Sequence, residues 1–500
     1  MPLFVQVTDS ATGSTYDYHE SAGDDLGEYV DPGFAQRCVR VVHREFPLIV
    51  WMRPDAVGGR VEVVFELGRI FAARPDDLGP YRAKIVRGND TLAVVEVPNH
   101  YVWSRWRWQS APRPIRRSAD SLLADHLVPP FSRAASTKPP TAAGPRYRPM
   151  ELAGMIPDMP RTGERDDIGL LTESQAEFLA TESAAALATL LAQGEASATL
   201  PWHFRDERTA APLDYDRHPR AGCYWDRVAA GNEPWIEPKP AGKIILDTAH
   251  QPTLSYLPFL LTGDPYYLEE QQFACTWSFA DFPPHYRQNE KCICRYDQTR
   301  SYAWGVRSLF YVTKSTPART PAWLLPQRYW AAKLENNRLF FEKEFVNSSD
   351  PIRQRFFSAT QVSEGRIAPW QEEFLAASLL TGVLLGFKEW RPAALWKLKS
   401  TLARTDGKSG WPRGNCTPYW PHVVKDGRVA SDWAEFARFD GLDASPNDRL
   451  DPHLDQSYRG YTEGTLALAQ QLGVEAAAAP LAWLRAQPRT EPLKRRWAIG

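Results

Sequence analysis

LPFLLTGDPYYLEE (257–270) holds an apolar run, a Thr-Gly-Asp-Pro break and a second run that starts apolar and ends acidic. A glycine can take the left-handed conformation that ends a helix. An aspartate followed by proline suits the cap and first turn of the next helix, so the stretch reads as a hairpin of two helices. LAASLLTGVLLGFKEW (375–390) and LALAQQLGVEAAAAPLAWL (466–484) repeat that order of apolar helix, glycine break and second helix.

Repeated hairpins bury a continuous core only by stacking on neighbours, in an open solenoid or a closed ring. The echoes are irregularly spaced, with long loops at 200–248 and 405–454, which favours a closed α/α toroid. Upstream, TESQAEFLATESAAALATLLAQ (172–193) reads as one amphipathic helix with Thr172 as N-cap. Helical patterning continues at 252–262, 265–281, 300–314, 326–347, 370–388, 392–404, 455–472 and 475–487 without comparable strand alternation, so residues 169–500 are expected to be all-α. Residues 1–110 read differently. FPLIVW (46–51), RVEVVFELGRIFAA (60–73), YRAKIV (81–86), TLAVVEV (91–97) and YVWSRWRW (101–108) are strand-like, with Val-Gly-Gly and Arg-Gly-Asn-Asp between them as turns. They predict a small antiparallel β domain of sandwich type. Its last strand places Val102, Trp106 and Trp108 on one face and Tyr101, Trp103, Arg105 and Arg107 on the other; one is core, and the other packs on the second domain or binds sugar. Between the domains, residues 111–168 are a proline-punctuated linker in which only ADSLLADHL (119–127) can make a short helix.

Composition removes whole classes of function. Lys plus Arg (59) nearly cancel Asp plus Glu (60), so no bulk field draws the 500-residue chain to nucleic acid or an anionic membrane. No stretch reaches the roughly 18 to 20 apolar residues of a membrane span. The six cysteines form no CxxC pair, and reduced structural thiols without metal or cofactor are expected. MPLFVQVTDSATGSTY (1–16) lacks the basic and apolar regions of a Sec signal, which points to a cytoplasmic protein or one carried on a phage particle. P-loop, GxGxxG, GxSxG, HExxH and EF-hand patterns are absent. The 19 Trp and 19 Tyr are the marked excess, and such rings stack on sugars or line clefts.

With LLTGDPYYLEE, the segment QTRSYAWGVRSLFYV (298–312) and the separate β domain, the chain resembles the α/α-toroid carbohydrate-active proteins, among them polysaccharide lyases and several glycoside hydrolases. The likeness covers the helical half and implies a fold more than a reaction. Three constellations fall where toroids place their clefts. His250 stands before Pro252, which suits the first turn of a helix, so the imidazole can face a cavity. Arg300, Trp304, Arg307 and Tyr311 form one cationic and aromatic stripe whose arginines need carboxylates, of this chain or of a substrate. DPHLDQSYRGYTEG (451–464) brings His453, Asp455, Tyr458, Tyr461 and Glu463 to the start of a late helix. Loop clusters LDYDRHP (213–219), PPHYRQNE (283–290, with His285) and GWPRGNCTPYWPH (410–422, with Trp411) are candidate cleft rims.

Two reactions can use these groups. β-Elimination of a uronic-acid polymer needs a group that neutralises the carboxylate, a base for the C5 proton and an acid for the leaving oxygen. The lyase-like pattern implies His250, Tyr256 and Arg300 in these roles, with Tyr302, Tyr458 and His453 as alternative proton carriers. Trp304, Arg307, Asp455, Tyr461, Glu463, His285 and Trp411 are then substrate contacts. Hydrolysis needs two carboxyl groups instead, drawn from Asp247, Asp264, Asp455 and Glu463, with Asp264 also readable as a helix cap. A third reading is a non-catalytic carbohydrate-binding or phage-particle protein. The expectation is a polysaccharide lyase acting on an acidic glycan, with a glycoside hydrolase as the alternative.

Overall fold

The computed structural model describes residues 1–57, 59–71, 76–134, 144–161, 165–224, 227–237, 242–294, 298–357, 365–442, 450, 456–489 and 491–500. Two antiparallel sheets form the N-terminal domain. Strands β1 (Leu3–Asp9), β2 (Thr15–His19), β7 (Tyr81–Arg87) and β8 (Asp90–Val97) make one sheet in the order β2-β1-β7-β8. Strands β3 (Asp24–Asp31), β4 (Phe34–Val42), β5 (Leu48–Pro54), β6 (Val61–Leu67) and β9 (Ser104–Gln109) make the other in sequential order. Alternation explains the sandwich: Val5, Val7 and Ile85 of one sheet face Val50, Met52, Val63, Phe65 and Trp106 of the other. Trp106 stacks on Phe65 at 4.2 Å and donates to the Tyr81 hydroxyl at 2.7 Å, tying the sheets together. Strands β1, β2 and β3 lie before the stretches that the sequence pattern marks most clearly, and the polar residues of β2 and β3 leave little alternation there.

The Trp face of β9 is thus sandwich core, and the arginine face meets the helices. Arg53, Glu62, Glu66, Arg105 and Arg107 project from β5, β6 and β9 on that side and are all buried. Arg105 reaches Glu269 and Glu270, both at 2.5 Å; Arg53 reaches Glu269 at 2.8 Å, and Arg205 bridges Glu66 and Glu269 at 2.5 and 2.7 Å. Burial pushes the Glu270 carboxyl up, but Arg105 and His203 outweigh it and hold the group at about 2. Asp264 both caps its helix, accepting from the Tyr266 amide, and pairs with Arg107 at 2.7 Å.

The helical half comprises α1 (Ala119–Ala124), α2 (Glu173–Thr181), α3 (Ala184–Ala196), α4 (Tyr256–Thr262), α5 (Pro265–Asp281), α6 (Pro284–Arg287) and α7 (Thr299–Ser315). It continues with α8 (Gln327–Phe341), α9 (Pro369–Leu384), α10 (Arg391–Thr405), α11 (Trp433–Phe439), α12 (Gln456–Gln471) and α13 (Ala478–Ala486). Helices α5, α7, α9 and α12 pack in succession, with α8, α10 and α13 each against the inner helix before it. The turn Arg495–Trp497 touches both α12 and α2, and α2, α3, α4 and α5 follow one another, so the order of neighbours is circular. Trp497 stacks on Phe374 at 5.5 Å inside that circle. Gly263 ends α4 with φ +68°, as the hairpin reading requires.

Helix α9 crosses α7 closely because Gly382 has no side chain: a Cβ there would run into the Phe310 ring. Gly382→Ala is therefore expected to destabilise the fold by about 1–3 kcal/mol despite its better helix propensity, measured as a lowered urea midpoint.

Three local expectations are corrected. The stretch 172–193 is two helices, because Glu182 takes φ +53° and Ser183 caps a new helix at the Ala186 amide, while the Glu182 carboxylate accepts from the Ala119 amide. Thr172 does cap the first, in a reciprocal box with Gln175. Pro252 precedes rather than opens its helix: Thr248–His250 is a 3-10 turn and α4 begins at Tyr256. The helical half also carries one short hairpin, β10 (Val424–Lys425) with β11 (Arg428–Val429). Within the linker, α1 forms inside 119–127 as expected, capped by Ser118.

Candidate functional site

Helices α7 and α9 begin side by side, with the turn Thr248–His250 packed on α7 and the first described side chain of α12, Tyr458, against α9. One member of each sequence constellation meets here. In the turn, Asp247 caps the 3-10 helix by accepting from the Ala249 amide at 2.9 Å, and its other oxygen receives the Nδ1 of His250. Among the described residues no hydrogen-bond partner is found for His250 Nε2, and the residue is only 4% exposed. Burial pushes the Asp247 carboxyl up, but the His250 hydrogen bond and charge, the Ala249 amide and Arg300 together hold it below the usual carboxylate range. A carboxylate on Nδ1 fixes the tautomer and aims Nε2, the arrangement that equips an imidazole for proton transfer.

Arg300, in the first turn of α7, is held by Gln298 Oε1 at 3.0 and 3.2 Å. Its guanidinium lies 5.3 Å from the centre of the Trp370 ring, at the start of α9. Burial lowers the pKa of Arg300, while Asp247, Tyr419 and Tyr458 oppose that drop. Around it the rings of Trp370, Tyr458 and Tyr419 are nearly parallel, with centroids 5.5 to 6.4 Å apart and planes within 16°. Tyr419 is 62% exposed and gives this platform its open edge. A cation beside a flat aromatic surface suits a sugar ring that bears a carboxylate.

Asp281, the last residue of α5, closes the far side of the turn. It accepts from the Thr248 hydroxyl at 3.3 Å, and that hydroxyl lies 3.4 Å from Ser301 Oγ in α7. Burial, and then the Asp247 charge, push the Asp281 carboxyl up to about 7, with the Thr248 hydrogen bond opposing.

Other candidates lie elsewhere. Tyr256 donates to the Leu127 carbonyl at 2.7 Å and stacks on Tyr311, and burial drives its pKa well above the ordinary value. Tyr302 is buried between Phe341 and Phe357. Trp304 packs on Phe374 at 4.9 Å. Arg307 is fully buried and donates to the backbone carbonyls of Gly169 and Gln251; burial lowers its pKa to about 10. The stripe therefore divides: its first arginine belongs to the site, and the second latches segments together with no carboxylate partner among the described residues. Tyr461 fills core between Phe374 and Trp497, and Glu463 pairs with Arg459 and Arg489. His285 is exposed against Tyr286, and Trp411 is buried in a separate cluster where it donates to the Asn415 carbonyl. His453 and Asp455 lie outside the described residues.

Sequence reading passed over Asp281, Trp370 and Tyr419 as site residues. Asp281 carried a usable signal, since an acidic side chain at a helix C-terminus opposes the helix dipole and asks for another reason to be there. Tyr419 sat inside the weak rim cluster 410–422, and Trp370 follows Pro369 at a helix start, where an aromatic is easily taken for core. All six cysteines are buried and free. Among the described residues no group of His, Cys, Asp and Glu has the geometry of a metal site, and no helix is long and apolar enough to cross a membrane. The chain matches no family model, no curated protein and no solved structure.

Proposed function

We propose that the protein is a polysaccharide lyase that cleaves an acidic, uronic-acid-containing glycan by β-elimination. The observation that carries this reading is the convergence of the Asp247–His250 pair, Arg300 and Tyr458 beside an aromatic platform. Arg300 neutralises the substrate carboxylate, which acidifies the C5 proton next to it. His250 Nε2 accepts that proton; the C5 electron pair forms the C4–C5 double bond, the C4–O bond breaks, and the Tyr458 hydroxyl protonates the departing oxygen. Asp247 keeps the imidazole oriented and stabilises the imidazolium. Trp370 and Tyr419 hold the sugar faces.

Hydrolysis has one observation in its favour, the unequal carboxyl pair of Asp247, held low, and Asp281, held at about 7, which is how an acid and a base are set apart at one site. Incubation with a panel of uronic-acid polymers separates the readings. Short-wavelength ultraviolet absorbance from the double bond conjugated to the carboxylate of an unsaturated product is the expected outcome. New reducing ends without that absorbance would assign hydrolysis, and binding without either would assign a carbohydrate-binding role.

A further inference from the structure

We infer that Asp281 is a positioning residue for the Asp247–His250 pair, tethering through Thr248 the turn that carries both and limiting the negative charge beside Arg300. The inference rests on the lyase reading for its effect on turnover, and on geometry for the rest. Thr248 lies inside the turn Thr248–His250, and its hydroxyl reaches Asp281 on α5 and Ser301 on α7. Two helices thus hold the strand of chain that aims the imidazole. Asp281 follows Ala280, whose carbonyl accepts from the Cys223 amide at 2.8 Å, so the 223 segment packs over the other side. Among the described residues, the charged or titratable groups that act on Asp281 or feel its charge are Asp247 from the turn and the Cys223 thiol; Arg300 faces Asp247 from α7. No cation faces Asp281 itself among the groups that shift it, which is why burial and Asp247 together keep its proton on to about pH 7.

A proton on Asp281 matters to elimination because the transition state places additional negative charge on the substrate carboxylate. A second carboxylate charge close to Asp247 opposes that build-up and repels the substrate from Arg300. With Asp281 neutral, Asp247 is the carboxylate that acts on the guanidinium among the described residues.

Asp281→Asn keeps the shape and an acceptor for Thr248 while fixing the neutral state. On the polymer that wild type cleaves, kcat/KM of wild type should fall about tenfold as pH rises through about 7. Asp281→Asn should stay within about threefold across that range, with at least a tenth of the wild-type optimum. The inference is overturned by an unchanged alkaline fall in Asp281→Asn. It is also overturned by a loss of about a hundredfold at every pH, which would make Asp281 the proton donor of a hydrolase. Stability measures the same inference without turnover. A carboxyl whose pKa is raised by folding contributes stability that is present below the unfolded value of 3.8 and lost as pH climbs to about 7. The folding equilibrium of wild type relative to Asp281→Asn should therefore drop on the order of a thousandfold between pH 4 and 8. In an Asp247→Asn background the drop should be smaller. If no polymer is cleaved but this stability pattern holds, the lyase reading fails and the pairing of Asp281 with Asp247 stands. A pH-independent difference, or one indifferent to Asp247, overturns the inference itself.

Discussion

His250→Ala should lower turnover by about two to four orders of magnitude and leave the unfolding midpoint within experimental error. The imidazole has one hydrogen-bond partner among the described residues, Asp247, and the backbone carbonyl that Arg165 grips at 2.9 Å survives the substitution. Truncation therefore removes a proton carrier without cutting a structural tether. Turnover per folded molecule that stays intact while the midpoint falls would assign His250 to the architecture of the turn. Asp247→Asn, which cannot stabilise the imidazolium, should lose a comparable factor in kcat with little change in KM.

Glu269→Ala should cost about 3–5 kcal/mol, the largest single loss of stability expected outside the core. Glu269 is fully buried and receives Arg53, Arg105 and Arg205, two of them from the β domain. Removing it strips one carboxylate from each of three guanidinium groups out of reach of water and leaves Arg53 with Glu62, Arg105 with Glu270 and Arg205 with Glu66. Burial pushes the Glu269 carboxyl up, but the three arginines hold it far below the usual range, so its contribution is present above the unfolded glutamate value and lost as pH falls. Wild type should consequently lose stability below about pH 4 more steeply than Glu269→Gln, with denaturant titrations at each pH as the check. Because the network joins the sheet to α5, both domains should melt in one transition in wild type and separate in the alanine variant.

Much of this architecture is written in periodicity. Helix α5 and its cap Asp264 follow directly from Thr-Gly-Asp-Pro, and the strands of 46–108 from their alternation. The break at Glu182 was hidden because a glutamate in left-handed conformation leaves no sequence mark, and its reason is a hydrogen bond to Ala119, 63 positions away. The arginine face of β9 was legible as a face; the carboxylates that meet Arg105 come from α5, about 165 positions later, beyond any local pattern. The site divides in the same way. His250, Arg300 and Tyr458 each stood out locally by chemistry. Asp281 and Trp370 join them only because α5 ends, and α7 and α9 begin, at one end of the circle. Arg307 and Trp304 share a helix stripe with Arg300, yet about two turns and one turn along the axis move them from the site into packing.

Cleavage in water enriched in heavy oxygen tests the central claim most directly. Elimination forms the double bond without adding water, so the products of wild-type protein on a uronic-acid polymer should carry an unsaturated end and no solvent oxygen, and Arg300→Ala should form them at least a hundredfold more slowly. Saturated products with one solvent oxygen per cleavage, carried at the new reducing end, or no cleavage of any acidic polymer, would contradict it.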